Sequence, residues 1–384
     1  MLGGVHVALG VTGSIAAVRT VELAHELRRQ GASVRAVMSD SARGIIHPWA
    51  LEFATGHEVV TEITGSVEHV ELCGRDGWAD ALLVAPATAN TVGKVAGAVD
   101  DTPVTTTATT ALGAGTPVVV APAMHEPMYD HPGVQRAMEQ VGEWGVTFVE
   151  PRLEEGKAKI ATDEAIVAGV ARAAGSRPLA GRRVVVTSGA TSEPVDPVRI
   201  LTNRSSGKMG RAVARACYAL GAEVTVVHDG PSLPYADVEH VETAAEMREA
   251  TLAVCERADT LVSAAAIGDF TLEAEPEKIP SGEPRTLSLE PAPKLIDAVA
   301  EAYPSLPIVG FKTETGVDEE TLLERARAIL DRAELTFVVA NDASVMGEDS
   351  TQALLVHGES VAPYEGTKDG LAREIARSLA AVLE

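Results

Sequence analysis

Short apolar runs alternate with amphipathic stretches along the whole chain. In the first half, Val5 to Leu9, Val34 to Met38, Ala81 to Ala85, Pro117 to Ala121 and Val146 to Val149 are apolar nearly throughout. Runs this continuous and this short predict strands buried on both faces of a parallel sheet. Helical patterns lie between several of them. The sharpest sets Ile15, Val18, Val21, Ala24 and Leu27 at helical spacing, with Gly31 as its stop. The pattern breaks at Ala174-Gly175-Ser176-Arg177-Pro178, then restarts with Val184 to Thr187, Glu223 to His228, Thr260 to Ala265, Ile308 to Phe311 and Phe337 to Ala340. Strand and helix alternate on both sides of the break. An α/β protein is expected, with two doubly wound parallel-sheet domains at residues 1–175 and 176–384 and a short linker.

Composition narrows the class. With 384 residues, 46% of them apolar, the chain can bury two substantial cores, or three. No apolar run approaches the roughly 18–20 residues that cross a bilayer, and the N-terminus lacks a basic-then-apolar signal, so a cytoplasmic protein without a membrane partner is expected. Cys73, Cys217 and Cys255 are odd in number and lack metal-ligand spacing, which points away from a disulfide framework or a zinc site. A net charge of −23 opposes binding of nucleic acid through a general field. The acidity is spread along the chain, lysine is reduced to eight residues and aromatics to 3%. That pattern suits a surface adapted to high salt, with ordinary acidity for solubility as the alternative.

Candidate chemistry concentrates between Thr187 and Gly210. Val184 to Val186 form a β-branched run, Gly189 loosens the chain, and Pro194 and Pro197 stiffen the path to Asn203. Ser205 and Ser206 are expected to cap a helix through Ala212, Val213, Ala216 and Leu220. Helix N–H groups, the Lys208 ammonium and Arg199 then converge on one anion-sized place, although an ordinary capped helix after a plain connection is the bland alternative. Met209 follows Gly207-Lys208 where a Walker A loop needs a hydroxyl, so that loop is excluded. In the first half, Gly10 to Ala16 joins strand to helix and offers backbone N–H groups and the Ser14 hydroxyl to a phosphate. Ala85 to Asn90 and Ala121 to His125 also follow strands, and their small residues let a flat ring approach the backbone. Thr105, Thr106 and Thr107 add hydroxyls, with a β-edge segment as the structural alternative for that run.

Taken together, these residues carry a recognisable pattern. Gly13-Ser14-Ile15-Ala16, Pro86-Ala87-Thr88-Ala89-Asn90, Pro122-Ala123-Met124 and His69 resemble the flavin-binding cysteine decarboxylase family. Asp196 to Met209, Ala264-Ala265-Ala266-Ile267-Gly268-Asp269-Phe270, Lys278-Ile279, Val309-Gly310-Phe311 and Ala340-Asn341-Asp342 resemble phosphopantothenate-cysteine ligase. In order and length the chain resembles the bifunctional coenzyme A biosynthesis family, which carries ligase and decarboxylase together.

The resemblance implies an N-terminal flavodoxin-like or Rossmann-like flavoprotein domain and a C-terminal Rossmann-like ligase domain. The ligase would use CTP and Mg²⁺ to turn the carboxylate of 4′-phosphopantothenate into an acyl-cytidylate that the amine of cysteine attacks. By the same resemblance Asn203 holds the acyl intermediate, Lys208 and Arg199 hold phosphates, and Ala264, Ala265, Ala266, Asp269, Lys278 and Phe311 contact CTP. Ala292, Pro293, Lys294 and Leu295 match another nucleotide segment. Arg327 and Arg332 lie near the family's two basic triphosphate residues, although strict register puts Ile329 and Ala333 there. The decarboxylase would use FMN, with Gly13, Ser14, Ile15, Ala16, Ser39, Pro86, Ala87, Thr88, Asn90, Thr105, Thr106, Thr107 and Met124 around it and His69 as base. A homo-oligomer is implied, trimer-based and extending to a dodecamer.

The chain departs from the bacterial pattern in the flap. Bacterial members place a cysteine proton donor there, whereas residues 153–161 contain none, and His125 stands where those enzymes have Asn. This resembles the archaeal version of the family. His125, Lys157 and Lys159 are then candidate donors, with Cys73, four residues after His69, a weaker one. Three other functions stay open at this point: a ligase with a silent FMN-binding scaffold domain, a nicotinamide-dependent reductase, and a flavin prenyltransferase that leaves residues 180–384 unexplained.

Overall fold

The continuous apolar runs form the parallel strands expected of them. The computed structural model describes residues 1–342 and 350–384 and divides into two compact units, Met1–Ser176 and Arg177–Glu384. In chain order the first unit has β1 (His6–Val11), a 3-10 turn (Ile15–Arg19), α1 (Thr20–Arg29), β2 (Ser33–Met38), α2 (Asp40–Arg43), α3 (Pro48–Thr55), α4 (Glu68–Cys73), β3 (Ala81–Ala87), α5 (Ala89–Ala96), α6 (Pro103–Ala114), β4 (Val118–Pro122), β5 (Met124–His125), α7 (Glu126–Tyr129), α8 (Pro132–Glu143), β6 (Thr147–Phe148), β7 (Arg152–Glu154), β8 (Lys157–Lys159) and α9 (Asp163–Ala174). Its main sheet is parallel throughout, in the order β2-β1-β3-β4-β6. Strand order reverses between β1 and β3, the crevice where open α/β sheets bind ligands. Leu9, Leu82, Leu83 and Val119 are fully buried, because helices cover both sheet faces.

Two local expectations change here. The stretch from Ile15 is a 3-10 turn followed by α1, not one helix, and Ile15 and Val18 are 78% and 58% exposed. Ser14 caps the turn at the Ala16 N–H and Thr20 Oγ1 donates to Ala17 O, so the segments are out of phase and only Leu23, Ala24 and Leu27 carry the apolar face inward. The threonine run is helical, not a β edge. Thr102 and Thr105 form a reciprocal cap, Pro103 occupies the first turn and Gly115 closes α6 at φ +83°, which overrides the β preference of threonine.

The second unit has β9 (Arg183–Thr187), β10 (Ser192–Pro194), β11 (Ile200–Thr202), α10 (Lys208–Ala219), β12 (Glu223–His228), β13 (Asp237–His240), α11 (Ala244–Cys255), β14 (Thr260–Ser263), β15 (Phe270–Thr271), β16 (Glu290–Pro291), α12 (Leu295–Ala302), β17 (Ile308–Glu314), α13 (Glu319–Arg332), β18 (Phe337–Asp342), β19 (Ser350–His357), β20 (Ser360–Thr367) and α14 (Lys368–Leu383). Its large sheet runs β13-β12-β9-β14-β17-β18-β19-β20 among the described residues. The first six strands are parallel and reverse order between β9 and β14. The β19–β20 hairpin adds an antiparallel edge that the strand pattern did not predict. Ser205 and Ser206 do not cap α10. Gly207 does, at φ +69°, and Ser205 instead accepts the Gly207 N–H. The cause is close approach: a Cβ on Gly210 would lie 2.6 Å from the Ser188 Cβ, so α10 starts flush against the β9 loop.

Candidate active sites in the two units

In the first unit, three loops at strand carboxyl ends are tied to one another. Thr12 Oγ1 donates to Pro86 O at 2.7 Å, Ser14 Oγ to Ala123 O at 3.2 Å, and the Ala123 N–H to Ala87 O at 2.9 Å. Gly13, Ser14, Pro86, Ala87 and Met124 therefore belong to one assembly. Thr88 caps α5 through the Thr91 N–H, leaving Asn90 exposed on the first turn. Ser39 is buried beside Ser41, their hydroxyls 3.1 Å apart. The hydroxyls of Thr105, Thr106 and Thr107 all bond inside the first turns of α6. The residues fit a flavin: a Cβ on Gly13 would collide with Ser41, so the loop is cut to glycine, and exposed Ile15 offers apolar surface beside Ala16.

His69 lies half-buried on α4, and its Nδ1 is buried without a hydrogen-bond partner, as expected of a group that awaits a ligand. Cys73 follows one turn later, but it is fully buried and burial pushes its thiol up to about 12. It cannot present a proton to substrate, which removes the weaker donor candidate. The flap is a small antiparallel sheet of β5, β8 and β7. Register sets His125 opposite Lys157, both exposed, while Met124 faces buried Ala158. Lys159 is engaged by Glu154 at 3.2 Å and Glu155 at 2.9 Å. The sheet thus brings two of the donor candidates together and draws the third into carboxylate pairs.

In the second unit, the switch-point loops frame two adjoining cavities of 470 and 320 Å³ that share Ala265, Asp269, Phe311 and Lys312. Asn203 Nδ2 donates to Ala266 O at 3.0 Å and Ile267 O at 3.3 Å, fastening its loop to the segment after β14. Pro293, Lys294, Leu295 and Arg332 line the larger cavity, whereas Ala264, Ala266 and Lys208 line the smaller. Ala292 is buried behind them, its N–H on Asp269 O. Asp269 pairs with Lys294 at 2.6 Å and Arg332 with Asp297 at 3.1 Å. Arg199 instead grips the buried Asp196 and donates to Ile279 O at 3.1 Å. Burial raises the Asp196 carboxyl, but N–H bonds from Val198, Ile279 and Arg199 and the guanidinium outweigh it and hold the pKa at about 2.

Five sequence-predicted contacts line neither cavity: Asn203, Arg199 and Ala292, engaged as described above, and Lys278 and Arg327. Lys278 is exposed and lines neither. Arg327 is likewise exposed on α13, and Arg325 takes the position it was expected to fill. Helical phase explains this. Arg325, Ala328, Ile329 and Arg332 share one face, while Arg327 turns away by about 200° from Arg325. Glu314 bridges Lys312 at 2.9 Å and Arg325, and the Lys312 bond holds its carboxyl below the ordinary range. Among the described residues, no group of three His, Cys, Asp or Glu side chains could hold a metal ion, and no helix is long and apolar enough to cross a membrane.

Two α/β units, each gathering polar loops where strand order reverses and one setting lysines around paired cavities, define a two-site protein of the nucleotide- and cofactor-binding class. A flavoprotein family model matches residues 1–175, and the model of the DNA/pantothenate metabolism flavoprotein C-terminal domain matches residues 179–383. The chain belongs to the family of coenzyme A biosynthesis bifunctional proteins. The CoaBC of Thermococcus kodakarensis is 51% identical over 362 residues, covering 92% of this chain and 89% of that protein. Those of Methanocaldococcus jannaschii and Bacillus subtilis are 36% and 35% identical, covering 96% and 90% of this chain and 92% and 88% of theirs. Membership across both halves leaves the nicotinamide-dependent reductase and the prenyltransferase without support.

Proposed function

We propose that this chain makes 4′-phosphopantetheine in two steps: residues 177–384 condense 4′-phosphopantothenate with cysteine at the expense of CTP, and residues 1–176 decarboxylate the product with FMN. The observation that carries the reading is the pairing of a lysine-lined double cavity in one unit with a flavin-fitting loop assembly in the other. In the ligase step the substrate carboxylate attacks the α-phosphorus of CTP, pyrophosphate leaves, and the cysteine amine then displaces CMP from the acyl-cytidylate. Positioning and charge neutralisation are the protein's share. Phe311 and Ile329 offer apolar walls to the base, Lys208 and Lys312 sit where phosphates gather, and Asn203 reaches the acyl group from the switch point. Mg²⁺ arrives on the triphosphate, as that ion usually does.

What FMN supplies when bound is the removal of two electrons from the substrate thiol, which makes the neighbouring carboxylate a good leaving group, and their later return. His69 takes the thiol proton. The carbon that loses carbon dioxide needs a proton in exchange, and the flap pair His125 and Lys157 provides it. The acidic surface suits a cytoplasm rich in salt, and a trimer-based assembly follows the family. The deciding assay supplies 4′-phosphopantothenate, cysteine, CTP and Mg²⁺ in high-salt buffer, with products followed by mass and the flavin by its visible spectrum. Conversion to 4′-phosphopantetheine bears the reading out. Accumulated 4′-phosphopantothenoylcysteine with bound flavin means a silent first unit, and no product with any nucleotide sinks it.

A further inference from the structure

The smaller ligase cavity draws heavily on a scarce residue. The sequence has eight lysines among 32 basic residues, and Lys208, Lys312 and Lys368 line this one 320 Å³ space. Lysine presents a compact point charge with three donors, the form suited to a mobile phosphate rather than to a planar carboxylate clamp. Ser205, Ser206 and Thr351 add hydroxyls to the same cavity. The acid among the lining residues, Asp269, is already paired with Lys294. Lys368 opens α14, as Lys208 opens α10, and Arg215, two turns into α10, holds Asp369 at 2.7 Å, which ties the start of α14 to the body of α10. Thr367 caps α14 through the Gly370 N–H at 3.1 Å, so the backbone that carries Lys368 is set before any ligand arrives.

We propose that Lys368 binds the β- and γ-phosphates of the nucleotide and carries the pyrophosphate as it leaves. This rests on the ligase reading. The larger cavity has the arginines, Arg325 and Arg332, while Phe311 and Ile329 line both cavities and so mark their junction. Lys368 lines the smaller cavity and not the larger, which assigns the end of the triphosphate to it. When the carboxylate oxygen bonds to the α-phosphorus, the bond from that phosphorus to the bridging oxygen breaks and pyrophosphate keeps the electron pair. An ammonium at that end neutralises the charge as it develops.

The test uses full-length Lys368→Gln and Lys368→Arg. Lys368→Gln should raise the KM for CTP about 10- to 100-fold, as expected on losing a charge-assisted contact. Pyrophosphate binding, measured by calorimetry without turnover, should weaken by a similar factor. CMP inhibition and the apparent affinities for cysteine and the phosphopantothenate substrate should stay within about 2-fold, Lys368→Arg should recover part of the loss, and an unchanged melting curve excludes misfolding. An unaltered response to CTP and pyrophosphate, or weakening confined to the phosphopantothenate substrate, overturns the assignment. If wild-type protein binds pyrophosphate through Lys368 but forms no product with CTP, the ligase reading fails and the phosphate site stands; if it binds no pyrophosphate, the site fails too.

Discussion

Replacing Gly13 by alanine isolates the flavin loop from the rest of the chain. Gly13 is not among the glycines at positive φ, so alanine meets no backbone penalty there. The obstacle is Ser41. A Cβ on Gly13 would lie 2.4 Å from Ser41 Oγ, 2.6 Å from Ser41 Cβ and 3.2 Å from its carbonyl carbon. The hydroxyl can rotate away, but the Ser41 Cβ cannot, and carbon atoms pack no closer than roughly 3.5 Å. The loop or the start of α2 must therefore move by close to an ångström, and overpacking of this kind costs about 1–3 kcal/mol. If the strain falls on the flavin-bound conformation, FMN binds about 5- to 150-fold more weakly. Fluorescence titration of apoprotein with FMN reads this directly. The second substitution Ser41→Gly removes both clashing atoms and leaves the 3.2 Å carbonyl contact, so the double variant should return to within about 3-fold of Ser41→Gly alone, which corrects for glycine's roughly 1 kcal/mol cost in a helix. Wild-type affinity in Gly13→Ala, or no rescue in the double variant, refutes the argument.

Three further outcomes follow from the same geometry. His125→Gln combined with Lys157→Met should slow formation of the reduced product about 10²-fold or more while carbon dioxide is still released, with mass spectrometry finding a product two hydrogens lighter; normal turnover would take the acid away from the flap. Arg325→Ala and Arg332→Ala should each raise the KM for CTP several-fold while Arg327→Ala stays within about 2-fold, and equal effects at all three would contradict the assigned face of α13. Because the folded Asp196 carboxyl sits near 2, below its ordinary value of 3.8, its stabilisation is complete above that ordinary value and fades as pH falls from about 4 to 2. Thermal melts of wild type and Asp196→Asn should differ at pH 6 and converge near pH 2, and a constant gap would mean the carboxylate charge is not what holds the Arg199 loop.

The parallel strands were legible because burial on both faces leaves a residue pattern that no local competitor can imitate, as in Val184 to Val186 and Leu82 to Val84. The residues of the loops were legible too. What eluded the sequence was contact between distant positions. Nothing near Gly210 announces that Ser188 will sit against it, and so the capping role went to Ser205 and Ser206, residues with the right chemistry and the wrong place. Arg325 is a different kind of miss. It stands seven residues before Arg332, two full turns, and the helical phase of α13 would have chosen it over Arg327 from spacing alone. The β19–β20 hairpin escaped because β19 opens in alternation of exposed and buried positions and β20 buries none fully, unlike the continuous runs that marked the others.

The lysines tie these observations into one argument. A chain with net charge −23 repels a triphosphate at long range, so attraction has to come from charges at the cavity wall. Arginines such as Arg29, Arg35, Arg43 and Arg377 pair with neighbouring carboxylates on the surface, where they do not help. Of the eight lysines, four line the two ligase cavities and two stand in the flap, leaving Lys94 and Lys278 outside the candidate sites. Replacing surface lysines costs little, because screened ion pairs there contribute little in either form. Replacing one that must follow a departing phosphate is different, since a guanidinium is larger and fixes its donors in a plane. Six of the eight lysines thus mark a candidate site, and that logic leads to Lys368 although no motif around it does.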